Sequence, residues 1–119
     1  MKRDLDLIKE ILFEIEKKDD TSPIINLSIE GYDQKLVDYN IHLLNQAGLI
    51  EASITRVGAN EIYEPIIFEM TWSGHEFLDA ARNETVWIKG KELIKQHGGS
   101  VPFEVLKSVL NQVALSLIT

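Results

Sequence analysis

The stretch "AGLIEASI", residues 47–54, passes from a helix into a strand with no linker between them. Upstream of it, Val37, Ile41 and Leu44 recur at helical spacing, flanked by Leu36, Asn40 and Leu43, which predicts a helix over residues 33–47. Gly48 stands where a left-handed residue ends a helix, and Leu49 is placed for the apolar contact that accompanies such an end. Downstream, residues 49–56 read as a strand, "VGAN" (57–60) as a turn, and residues 62–71 as the antiparallel partner. Ile66, Phe68 and Met70 alternate with Ile67, Glu69 and Thr71, so one face of that strand is strongly apolar. Pro65 has no N–H to give to a ladder and belongs at an edge or outside the paired region.

Working outward toward the N-terminus, Leu5, Ile8, Ile11, Leu12 and Ile15 form the apolar stripe of a helix over residues 4–18, with Asp4 or Asp6 to cap it. After the turn-forming "DDTSP", Ile25, Leu27 and Ile29 alternate with Asn26, Ser28 and Glu30, which predicts a strand within residues 23–32. Toward the C-terminus, residues 84–97 read as a helix with Trp87, Ile88, Leu93 and Ile94 as its apolar positions, ended by "HGG". A last helix opens at Val101-Pro102 and carries Phe103, Leu106, Leu110, Val113 and Leu117 at steps of three and four.

Between the hairpin and those helices lies "MTWSGHEFLDA" (70–80), which sets Ser73, His75 and Glu76 close together in sequence. A serine followed three residues later by a glutamate, ahead of the apolar Phe77, Leu78 and Ala81, reads as a capping box that starts a helix. A nucleophile would need a base within hydrogen-bond reach, which His75 at the start of the same helix does not offer. Trp72 and Trp87 read as core or interface packing. With no cysteine, no metal-spaced histidines and no phosphate-cradling glycine loop, the expectation is a protein that is not an enzyme and holds no cofactor.

At 45% hydrophobic and 26% charged residues over 119 positions, the chain is expected to fold around its own core as a single domain. No apolar run reaches the ~20 residues of a membrane helix and no signal peptide is read, so a cytoplasmic protein with no membrane partner is expected. The net charge of −7 is uneven: residues 1–81 carry 7 Lys/Arg and 16 Asp/Glu, whereas residues 82–119 carry 5 and 3.

The predicted order is helix, strand, helix, two-stranded hairpin, then three helices. It resembles a winged helix-turn-helix, an α+β fold with a small antiparallel sheet whose hairpin is the wing, here with extra C-terminal helices. Residues 1–83 would be the winged-helix core and 84–119 a helical extension packed on it. "MKRDLDLIKEILFEIE", "HLLNQAGLIEA", "TWSGHEFLDAARNETVW" and "GGSVPFEVLK" together resemble an uncharacterised family, a domain of unknown function of Gram-positive bacteria and their prophages. The resemblance spans nearly the whole chain and implies a winged-helix fold with no catalytic residues. Between Ile29 and Asp33, however, there is little room for the second helix of the usual plan.

Two functions follow. In a phage-type regulator that binds duplex DNA, helix 33–47 would enter the major groove and the 49–71 wing would touch backbone or minor groove. Lys35, Tyr39, His42, Asn45 and Gln46 would then face the bases and phosphates, joined by Arg56 of the wing; Lys91 and Lys95, one turn apart, are further phosphate contacts. The alternative is a protein-interaction module with an acidic surface and no DNA binding. In either case the seam Phe103, Leu106, Leu110, Val113 and Leu117 is a candidate interface for a homodimer.

Overall fold

The computed structural model describes residues 1–59, 62–96, 98 and 102–118, and at Phe103 the backbone alone. The elements are α1 (Leu5–Glu16), β1 (Ile24–Ile25), α2 (Gln34–Gln46), β2 (Ile50–Val57), β3 (Ile62–Met70), α3 (Trp72–Ala81), α4 (Glu84–Gln96) and α5 (Phe103–Ile118). The fold is mixed α+β, with a three-stranded antiparallel sheet ordered β1–β3–β2. Two compact units divide after His75, within α3: residues 1–75 and 76–119. No described helix is long and apolar enough to cross a membrane.

In the first unit, α1 and α2 pack on each other and on the sheet. Leu7, Ile11, Leu12, Val37, Ile41, Leu44, Leu49, Ile50 and Ile67 form its buried core. Asp4 caps α1 by accepting from the Leu7 N–H at 3.0 Å. Asn40 is fully buried on the inner side of α2: its Oδ1 accepts from the Asp4 N–H at 2.9 Å, and its Nδ2 donates to the carbonyls of Leu36 (2.9 Å) and Lys2 (3.3 Å). A buried amide needs such partners, and here they fasten the start of α1 to the middle of α2. The end of α2 follows the reading of "AGLI". Gly48 takes φ +76° and donates to the Asn45 carbonyl, and the Leu49 N–H reaches back to the Leu44 carbonyl at 3.0 Å.

The first strand is much shorter than the alternation over residues 23–32 predicts. Only Ile24 and Ile25 pair, with Ile67 and Ile66 of β3. Asn26 turns the chain at φ +58°, a left-handed conformation that asparagine tolerates, and Gly31 turns it again at +87°. The alternation on β3 is also interrupted. Ile67 pairs with Ala52 and Glu69 with Glu51, so Phe68 is the extra residue of a β-bulge. The bulge shifts the phase: Pro65, Ile67 and Met70 are buried, whereas Phe68, expected on the same face as Met70, is half exposed. Pro65 is paired after all, opposite Ile54, but β1 reaches only Ile66 and Ile67, so the other side of β3 asks no N–H of it. In the turn, Gly58 takes φ +78°; Asn60 lies outside the described residues.

The start of α3 corrects the capping box. Thr71, not Ser73, is the cap: its Oγ1 accepts from the Gly74 N–H at 3.1 Å and donates to the Gly48 carbonyl at 2.5 Å. Its own N–H donates to the Leu49 carbonyl at 3.0 Å. Because β3 ends at Met70, the last residue before the helix supplies the hydroxyl, and Ser73 falls inside the first turn. Gly74 allows this close approach, since a Cβ there would lie 2.1 Å from the Leu49 carbonyl oxygen. Trp72 is 80% exposed and is not core.

In the second unit, Asn83 caps α4 by accepting from the Val86 N–H at 3.1 Å. The buried positions of α4 are Val86, Trp87, Gly90 and Ile94; of the predicted apolar positions, Ile88 and Leu93 are partly exposed, at 46% and 40%. Phe77 meets Trp87 edge-on at 6.2 Å. Gly90 lets α5 close in, because a Cβ there would stand 2.7 Å from a Leu110 methyl. The expected helix end "HGG" and start "VP" fall largely outside the described residues (His97, Gly99, Val101), although Pro102 precedes α5 as its cap residue and its carbonyl accepts from Val105 and Leu106.

Candidate interaction site

The outward residues of α2 meet the hairpin through a group of rings. Inward parity on β2 runs Ile50, Ala52, Ile54, Arg56, and the register sets Arg56 opposite Tyr63 on β3, on the side of the sheet that carries α2. His42 stacks on Tyr63 with centroids 4.7 Å apart and planes 24° apart. Tyr39 completes the group, tilted, at 5.9 Å from Tyr63 and 6.3 Å from His42. The Arg56 guanidinium lies 5.1 Å from the Tyr63 ring centre, within cation–π range.

Burial lowers the His42 pKa below the usual histidine value, and the Arg56 charge lowers it further, so the imidazole is neutral near pH 7. Its Nδ1 is buried and finds no hydrogen-bond partner among the described residues. Beside it, burial raises the Asp38 carboxyl; the Gln34 amide, at 2.9 Å, acts against this, and the Glu64 charge adds to it.

The six residues read as DNA contacts therefore part company. Lys35 and Gln46 are exposed on α2, and Tyr39, His42 and Arg56 gather around Tyr63. Asn45 is engaged inside the fold, where its Oδ1 accepts from the Ala52 N–H at 3.0 Å and so holds the end of α2 to the start of β2. Tyr63 was not singled out by sequence; a hairpin register counted back from the turn would have found it opposite Arg56. Elsewhere, the Lys91 ammonium lies 5.6 Å from the Trp87 ring centre, and Lys95 is exposed one turn on. Of the seam on α5, Leu106, Leu110 and Val113 are buried within the chain and Leu117 is 46% exposed; the Phe103 side chain lies outside the described residues. Ser73, His75 and Glu76 make no hydrogen bond with one another among the described residues.

The charge is as unequal as the rings. Residues 1–75 hold 7 Lys/Arg and 14 Asp/Glu, whereas residues 76–119 hold 5 of each, so the whole net −7 sits in the first unit.

A small α+β protein with an acidic N-terminal unit and an aromatic helix–hairpin face is what these observations define. The chain belongs to the family described as hypothetical protein DUF2513, whose pattern it matches over residues 2–100. It is also 35% identical over 119 residues to an uncharacterized protein of Haemophilus influenzae, with 99% of each chain covered. No solved structure matches it.

Proposed function

We propose that residues 1–75 are a winged-helix domain that docks a protein partner through the α2–hairpin face, in a regulatory role without chemistry of its own. The winged-helix reading rests on the order helix, strand, helix, hairpin and on the β1–β3–β2 sheet that carries both helices. In place of a further helix before α2, residues 26–33 turn about Asn26 and Gly31.

The observation that carries the docking reading is the contact group Tyr39, His42, Tyr63 and Arg56. Tyrosine and arginine are the residues enriched at the energetic centres of protein interfaces, where rigid rings give area at little entropic cost. Duplex DNA fits this face less well. Affinity for phosphate comes from Lys and Arg, and a unit at net −7 repels it.

Two measurements test the proposal together. A fluorescence titration with mixed-sequence duplexes at ~50 mM salt is expected to give no binding; a tight, salt-dependent complex would restore the DNA reading. A pull-down with wild type and with Tyr39→Ala/Tyr63→Ala is expected to retain a specific protein with the first and lose it with the second, at unchanged helix content by circular dichroism. A partner held equally by both would refute the assignment of this face.

A further inference from the structure

The first unit also holds a groove that shares no residue with the α2–hairpin face. Ile15 of α1, Ile24 of β1, and Phe68 and Met70 of β3 give it an apolar floor, and about 470 Å³ of space opens above them. That volume is within the ~300–1,000 Å³ of ligand clefts. Phe68 is 49% exposed because the bulge turns it outward. Contiguous apolar surface rimmed by polar residues marks sites of interaction.

The rim supplies the sign. Glu51 and Glu69 are direct cross-strand partners next to Phe68, an arrangement of like charges that disfavours the strand pair. Among the described residues no cation pairs with either. Lys18 also lines the groove, where its charge is already matched by Asp20, a further lining residue, and it bonds Ser22 as well.

We propose that this groove docks a segment of a partner protein in which arginine or lysine stands beside an apolar residue, the apolar side chain lying on Phe68 and Met70 and the cation between Glu51 and Glu69. A cation there relieves the repulsion that the free protein carries. The site does not depend on the α2–hairpin reading and stands or falls by its own residues.

The test uses the full chain and two labelled hexapeptides, one alternating arginine with leucine and one alternating arginine with serine. Fluorescence anisotropy is expected to give about tenfold tighter binding of the leucine peptide, and Glu51→Gln/Glu69→Gln is expected to weaken it about tenfold. Phe68→Ala weakens the leucine peptide selectively, and Tyr39→Ala leaves both unchanged. In the same Glu51→Gln/Glu69→Gln variant Tm is expected to rise by about 1–5 °C, which separates lost binding from lost fold. Equal affinity for the two peptides would mean that mere attraction to an acidic surface was measured, and the proposal would fall. It would fall equally if no peptide bound, if the double variant bound as well as wild type, or if amide shifts on binding centred on α2 rather than on Glu51, Phe68 and Glu69.

Discussion

Replacing Asn40 tests how the two helices of the first unit are held together. In Asn40→Leu the branched shape is kept with some added bulk, two methyl groups standing where the amide oxygen and nitrogen were, and the amide is lost. The part-buried Asp4 N–H then loses its acceptor, and the Lys2 carbonyl loses a long 3.3 Å bond that water replaces at its exposed residue. The Leu36 carbonyl loses its side-chain donor. The dominant cost is the orphaned N–H, about 1–3 kcal/mol, so a loss near 2 kcal/mol is expected once the added apolar burial offsets part of it. Asn40→Asp keeps the acceptor and removes the donor. Its carboxylate would face the Leu36 and Lys2 carbonyls without solvent, so at neutral pH it should destabilise more than leucine does. Burial raises such a carboxyl above its unfolded value. The folded state then binds more protons, and stability lost at pH 7 returns as pH falls through the raised pKa. Urea unfolding followed by far-UV circular dichroism, at pH 7 and pH 4.5, with hydrogen exchange at Leu7 and Ile8, measures both variants. A cost under about 0.5 kcal/mol for leucine, or aspartate milder than leucine at pH 7, would refute the reasoning.

Three further outcomes are expected. Thr71→Ala should cost about 1–2 kcal/mol in denaturant unfolding while Ser73→Ala stays within about 0.5 kcal/mol, because Thr71 holds the cap and the bond to Gly48; the reverse order would reinstate the serine cap. Gly74→Ala should cost about 2–3 kcal/mol, since the new methyl meets the Leu49 carbonyl oxygen and a backbone atom cannot rotate away; a neutral effect in thermal melts would contradict that contact. His42 has a lowered folded pKa, so the unfolded chain binds the extra proton and stability should fall as pH drops through about 6.5, then level off below the folded value. Nuclear magnetic resonance titration of the imidazole, with His42→Phe flattening the stability profile, checks it; a folded pKa above 6.5 would reverse the sign.

The elements that sequence shows well are those whose apolar spacing has one reading. The stripes of α1 and α2 and the glycine that ends α2 belong here. Where several apolar residues run together the phase is ambiguous. Ile66, Ile67 and Phe68 satisfy either face, so the bulge that decides among them left no mark in the alternation. The short β1 depends on a left-handed Asn26, a backbone state that asparagine permits without requiring it. Amides were the hardest to place. Asn40 lies within the inward stripe Val37, Ile41, Leu44, a cue to burial, while Asn45 reads as surface and is drawn into the fold by the open edge of β2. Tyr39, His42 and Arg56 were visible as candidates; that they converge follows only from the hairpin register, which brings Tyr63 between them.

The ties from Thr71 and Gly74 to Gly48 and Leu49 make one helix conditional on a hairpin. The segments that meet are 23 residues apart along the chain, and β2 and β3 span the interval between them. Pairing of those strands brings Thr71 to the Gly48 carbonyl, so the anchor of the first turn of α3 depends on a closed hairpin. Nucleation is the costly step in making a helix. The start of the third helix thus takes its anchor from the sheet, and a disturbance that opens the base of the hairpin removes the cap of α3.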